Sequence, residues 1–122
     1  MKLDLKEIDS LYELIKFSSA KFPNRIALSE YKNKVLNTIT YMELLSAIDK
    51  KANEMNKLEL SDKSNIALSG SNSINWVITF FAIISNGCVV VPIDPKMNKR
   101  GIEFILQFKN AQLFIVDNIK SF

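Results

Sequence analysis

The segment Gly70-Ser71-Asn72-Ser73 has the residue types and the position best suited to holding a phosphate. It follows a predicted buried strand and precedes a predicted helix, where free backbone N–H groups and the helix dipole attract anions. However, the segment has one glycine and no lysine, so it matches neither the P-loop nor the dinucleotide-binding fingerprint. We therefore favour a turn in which Asn72 or Ser73 caps the helix.

Two further side chains near this segment have both a chemical and a structural interpretation. Trp76 would be able to present its ring to a ligand, but its neighbours are apolar and large aromatic residues in such surroundings usually pack in the core. Asp94 lies between Ile93 and Pro95 at a predicted strand end, a position typical of a turn-forming aspartate. We predict core packing for Trp76 and a turn at Asp94, and assign catalysis to neither.

The other candidate groups lack chemical partners in the sequence. There is no histidine and one cysteine, Cys88, which excludes catalytic imidazole, hydrolase triads and Cys/His metal sites. Cys88 precedes three valines and is predicted to be a structural thiol in a reducing cytoplasm. The acidic pairs Glu7/Asp9 and Glu54/Glu59 are predicted on exposed surfaces. We assign no catalytic, cofactor-binding or metal-binding residue in this chain.

The composition is typical of a globular protein and gives no sign of a nucleic-acid or membrane partner. Of 122 residues, 48% are hydrophobic and 24% are charged, so we predict one domain over residues 1–122. The net charge of +3 is spread along the chain, and its tightest cluster, Lys96, Lys99 and Arg100, fits a solvated helix start. No apolar run approaches the roughly 20 residues of a membrane span, and no signal peptide is evident. We predict a cytoplasmic protein.

Hydrophobic spacing predicts the elements that would position these residues. They are a helix over 8–22, a hairpin of strands 26–30 and 35–39, a helix from Tyr41 after the capping box Thr40 to Glu43, strand 65–69, helix 74–85, strand 88–92, helix 99–109 and strand 113–117. Strict alternation in the second half predicts right-handed βαβ units and a parallel sheet. Helix 74–85 is so apolar that it should be covered on most sides, which predicts self-association of this chain alone.

Several strings, in this order, resemble the AMP-forming adenylate synthetase superfamily, which includes acyl-CoA ligases, peptide-synthetase adenylation domains and luciferases. They are FPNRIAL at 22–28, TYMEL at 40–44, NSINW at 72–76, FAI at 81–83, ISNGCVVVPIDP at 84–95 and AQLFIVD at 111–117. The loop at 60–64 departs from the family's glycine-rich turn. The resemblance covers nearly the whole chain and implies an α/β fold, namely part of the N-terminal subdomain of an adenylate-forming enzyme.

The resemblance implies a two-step ligation in a longer parent enzyme. A carboxylate attacks the α-phosphate of ATP in the presence of magnesium, giving an acyl-adenylate and pyrophosphate, and the thiol of CoA then takes the acyl group and releases AMP. The family's phosphate loop, its ribose- and magnesium-holding carboxylates and its C-terminal lysine match no residue up to Phe122. We therefore expect a scaffold segment that is inactive alone and that has the remainder of the ligase as its partner.

Within the superfamily, the string at 66–95 and the strand Val89-Val90-Val91 look most like fatty-acyl or similar acyl-CoA ligases. A segment of an amino-acid adenylation domain is the alternative. A further alternative belongs to a different class of protein, namely a stand-alone, non-catalytic α/β module that binds a partner or a nucleotide.

Overall fold

A computed structural model describes residues 10–116 of the chain. Its elements are α1 (Leu11–Lys21), β1 (Ile26–Lys32), β2 (Val35–Thr40), α2 (Tyr41–Asn56), β3 (Asn65–Ser69), α3 (Ile74–Ser85), β4 (Val89–Ile93), α4 (Lys99–Phe108) and β5 (Leu113–Val116). Positions 8 and 9 of the predicted first helix, and position 117 of the predicted last strand, lie outside the described residues.

The strands form an antiparallel hairpin and a separate parallel sheet, as predicted. β1 pairs with β2. The two residues that connect them, Asn33 and Lys34, have φ angles of 52° and 64°, and a positive φ at both positions is typical of the tight type I′ turn of a β-hairpin. In the second sheet the order is β4-β3-β5, with both neighbours parallel to β3. The α/β prediction, with a parallel sheet, crossover helices and an N-terminal hairpin, is confirmed.

The core lies around the central strand β3, in which Ile66, Ala67 and Leu68 are fully buried. Ile66 and Leu68 project from one face of the sheet and pack with Ala82 and Ile83 of α3, and with residues of α2. Since β4 and β5 flank β3 on opposite sides, right-handed crossovers place α3 and α4 on opposite faces. The full burial of Ala67, which projects from the second face, agrees with this arrangement.

The start of α2 has the capping box that the sequence predicts. The N–H of Glu43 donates to Thr40 Oγ1 at 3.2 Å, and the N–H of Thr40 donates to Glu43 Oε1 at 2.9 Å. These bonds to Thr40 hold the pKa of the Glu43 carboxyl below its usual value. The cap fixes the point where the chain leaves the hairpin and enters α2.

Several bounds differ slightly from the prediction: α1 begins only after its N-cap, Ser10, and ends at Lys21, and β1 extends to Lys32. Two further features also differ. β4 begins at Val89 rather than at Cys88, because the Cys88 N–H donates to the Ile83 carbonyl and completes the end of α3. In addition, α3 is fully buried only at Thr79, Ala82 and Ile83, while most of its other apolar side chains are partly exposed. Within residues 10–116, α3 is therefore covered along one side rather than on most of its circumference.

Candidate functional site

Residues 70–73 connect the carboxyl end of β3 to the start of α3, as predicted for the best phosphate candidate. Ser73 is the N-cap of α3, and its Oγ accepts a hydrogen bond from the Trp76 N–H at 3.0 Å. The prediction of a cap at Asn72 or Ser73 is thus confirmed, with Ser73 in that role. The cap satisfies one of the amide groups that would otherwise be available to an anion.

A second amide at this helix end is satisfied by Glu30, from the middle of β1. Glu30 Oε1 accepts a hydrogen bond from the Ile74 N–H at 2.9 Å. A carboxylate is favourable here because the amino-terminal end of a helix carries partial positive charge. The same negative charge would repel a phosphate that approached these amides, so the structure favours the turn interpretation of residues 70–73.

The hairpin and the start of α3 border a cleft of about 520 Å³, lined by residues 28–32, 71–74 and 77. The lining offers hydroxyl groups from serine and Tyr31, the ammonium group of Lys32 and the carboxylate of Glu30. Among these groups, the Glu30 carboxylate accepts the hydrogen bond from the Ile74 amide on the other side of the cleft. The contact across this cleft therefore joins two elements, the hairpin and the start of α3.

Trp76 and Asp94 have the structural roles that their neighbours predict. The Trp76 ring is half-buried against the core and stacks on Phe80 with a centroid distance of 5.4 Å. Asp94 closes a turn, since its Oδ1 accepts from the Lys96 N–H at 2.9 Å and its carbonyl accepts from the Met97 N–H at 3.0 Å. Both predictions, core packing and a turn, are confirmed.

The remaining candidates lie apart from one another. Cys88 is half-buried, and this burial raises the pKa of its thiol, which lowers the fraction of reactive thiolate. The basic cluster at 96–100 is exposed at the start of α4, as are Glu54 on α2 and Glu59 in the following loop. Glu7 and Asp9 lie outside the described residues. Across residues 10–116, no group of three or more His, Cys, Asp or Glu side chains has an arrangement that could hold a metal ion.

No helix within the described part of the chain is both long and apolar enough to cross a membrane.

The Glu30 contact is the feature of this region that sequence reasoning misses. Glu30 and Ile74 are 44 positions apart, and strand periodicity at Glu30 gives no information about a distant helix end. A hint exists only in the absence of an acidic residue in the first turn of α3, which leaves its amides without a local carboxylate.

A hairpin followed by a parallel βαβαβ unit is the architecture of the N-terminal subdomain of adenylate-forming enzymes. The family model described as "AMP-binding enzyme" matches residues 15–121, and the chain belongs to this family.

Three similar proteins illustrate the range of this family. Long chain acyl-CoA synthetase 4 of Arabidopsis thaliana is 23% identical over 121 residues, which are 95% of this chain and 18% of that protein. A linear gramicidin synthase of Brevibacillus parabrevis is 30% identical over 112 residues, which are 88% of this chain and 2% of that protein. The structure of the Klebsiella oxytoca NpsA N-terminal subdomain superposes with a TM-score of 0.82 at 24% identity, over 93% of this chain and 29% of that one. The chain thus spans less than a fifth of the length of these two sequence relatives.

Proposed function

We propose that this chain is the N-terminal scaffold segment of an AMP-forming acyl-CoA ligase. The observation that carries the proposal is the family match over residues 15–121, which includes both the hairpin and the parallel sheet. In this role the chain contributes a packed β3, with α2 and α3 on one face of the sheet, against which the rest of the ligase folds. Its contribution is mechanical support for an active site built by other segments.

The described residues do not fit the phosphates of ATP or a magnesium ion. The Glu30 carboxylate lies at the helix end where a phosphate would otherwise be held, and its charge has the wrong sign for that ligand. Magnesium prefers carboxylate oxygens gathered at one place, whereas Glu54, Glu59 and Asp94 lie on separate exposed segments. We therefore assign no step of adenylation or thioester formation to these residues, and propose that the chain alone has no adenylating activity.

The names of the relatives support two classes of substrate for the parent enzyme. A fatty-acyl substrate is supported by the name of the Arabidopsis relative and by the likeness of the string at 66–95 to acyl-CoA ligases. The name of the gramicidin synthase relative supports an amino-acid substrate, as in a peptide-synthetase adenylation domain. We favour the fatty-acyl class, in which CoA would be the thiol that receives the acyl group.

Translation of the genomic sequence after the Phe122 codon, followed by an assay of the longest reading frame, tests this proposal. We expect the frame to continue, and the longer protein to catalyse ATP–pyrophosphate exchange with hexadecanoate and to consume CoA. Exchange with an amino acid but not with hexadecanoate would instead support the adenylation-domain alternative. The 122-residue chain is the matched control, and exchange by it above a protein-free blank would contradict its role as a scaffold.

A stop codon directly after Phe122, together with no exchange activity, would favour the stand-alone binding module. Thermal-shift titrations with ATP, AMP and CoA would then identify a ligand, because a molecule that binds the folded state raises its melting temperature in a concentration-dependent way.

We also propose that the isolated chain self-associates. Phe104 and Phe108 of α4 are 66% and 72% exposed and stack on each other, and α3 has partly exposed apolar side chains. Large exposed apolar groups favour association in water. Sedimentation velocity over a hundredfold range of concentration should show dimers or larger species, and a monomer at every concentration would contradict this.

The cytoplasmic location stays a prediction, which cell fractionation would test.

A further inference from the structure

We infer that Glu30 is a clasp that fixes the β1–β2 hairpin to the amino-terminal end of α3 and so sets the width of the cleft between them. The bond from the Ile74 N–H to Glu30 Oε1, at 2.9 Å, joins the middle of the hairpin to the helix. This inference concerns the position of the hairpin and is independent of the substrate proposed above.

The base of the hairpin is held by different contacts. The Tyr41 N–H donates to the Arg25 carbonyl, and the Met42 N–H donates to the Pro23 carbonyl. These bonds tie the chain before β1 to the start of α2. They fix where the hairpin begins and ends, but they lie away from its middle and from the cleft.

Apolar burial contributes little to holding the turn end of the hairpin. Tyr31, Val35 and Leu36 are 77%, 56% and 57% exposed, and β2 is exposed along its first four residues. A two-stranded hairpin is marginally stable in water unless it packs on other elements. A polar contact in the middle of β1 therefore has a large influence on where the hairpin lies.

The charge distribution around Glu30 strengthens this contact. Neither α3 nor residues 70–73 contain a charged side chain, and the titratable residues that line the described part of the cleft are Glu30, Tyr31 and Lys32. The carboxylate thus faces the partial positive charge of the helix end with no second acidic group among these lining residues. A hydrogen bond with one ionised partner is also shorter and stronger than a neutral one.

Amide hydrogen exchange measured by NMR tests the clasp directly. Ile74 is the first residue of α3, so its N–H has no partner within the helix and is protected only if Glu30 binds it. We expect this amide to be protected in the wild-type chain. In Glu30→Ala its protection should fall about tenfold or more, the factor that corresponds to loss of a hydrogen bond to a charged group. Protection of the hairpin amides at 28–39 should fall with it, while Ile66 and Leu68 in β3 should not change.

Two other variants separate the clasp from a general weakening of the hairpin. Asn37 lies opposite Glu30 in the strand register and is exposed, so Asn37→Ala should leave the Ile74 amide protected. Glu30→Gln keeps a carbonyl acceptor without the charge and should give an intermediate loss.

The inference is overturned by an unprotected Ile74 amide in the wild-type chain. It is equally overturned if Glu30→Ala leaves the hairpin amides unchanged, or if Asn37→Ala lowers Ile74 protection as much as Glu30→Ala does. Should Glu30→Ala fail to fold, the wild-type protection of Ile74 and its loss in Glu30→Gln decide the question.

Discussion

Replacement of Ile83 by alanine would test whether α3 is packed on the parallel sheet as described. Ile83 is fully buried and lies in a cluster with Ile66 and Leu68 of β3. The change removes three carbon atoms, which corresponds to about 2.4 kcal/mol of transfer free energy at about 0.8 kcal/mol per carbon. It also leaves a cavity that the surrounding side chains fill only in part. We expect the free energy of unfolding to fall by about 3–4 kcal/mol.

Urea denaturation followed by tryptophan fluorescence would measure this loss. Trp76 is the one tryptophan of the chain, and its half-buried ring stacks on Phe80, so unfolding changes its environment. The urea concentration at the midpoint of unfolding should fall. The slope of the free energy of unfolding against urea concentration should stay constant, because the surface exposed on unfolding is unchanged.

Ile78→Ala is the matched control, because Ile78 lies on the same helix, loses the same atoms and is partly exposed beside a shallow surface cleft. We expect it to lower the free energy of unfolding by less than half as much as Ile83→Ala. If the two variants lose stability equally, the packing of α3 described above is wrong.

Three further changes test local features. Gly87→Ala should lower the free energy of unfolding by about 1–2 kcal/mol, because Gly87 has a φ of +75° and its new methyl group would crowd the Asp62 carboxylate. Gly87→Asn adds the same Cβ atom but should cost less in the same urea assay, because asparagine adopts a positive φ more readily than alanine. Thr40→Ala should cost about 1 kcal/mol by removing the cap of α2, whereas Thr40→Ser should retain most of the stability. The Tyr12 hydroxyl donates to Asp49 Oδ1 at 2.6 Å, and this bond raises the pKa of Tyr12 from 10.0 to about 12. Because the folded state favours the protonated phenol, the contact stabilises fully below pH 10 and is lost as the pH rises towards 12. Tyr12→Phe should remove this pH-dependent loss, together with an ultraviolet titration step at a pH of about 12.

Features specified by neighbouring residues could be predicted from the sequence. The capping box Thr40 to Glu43 places its two partners three residues apart, so the start of α2 is visible in the sequence. The bounds of α3 agree with the prediction at both ends, because Ser73 caps its first turn and Gly87, with a positive φ, follows its last. The turn at Asp94 is local in the same sense.

Features that depend on distant residues could not be predicted. In the sequence, Glu30 has no feature that distinguishes it from other polar residues of an exposed hairpin. Its contact with Ile74 depends on how β1 packs against α3. Tertiary contacts of this kind leave no periodic signal in the sequence.

The central position of β3 has a consequence for the order in which the chain folds during synthesis. β4 follows β3 after a single helix and can pair with it early, whereas Leu113 of β5, which pairs with Ile66, is made only after α4. Until then, one edge of β3 has unpaired backbone groups beside apolar side chains, a combination that promotes association between nascent chains. We expect a chain that ends at Asn110 to precipitate more readily than the 122-residue chain, which pelleting assays would show. The last strand described would then protect the newly made protein as well as widen its sheet.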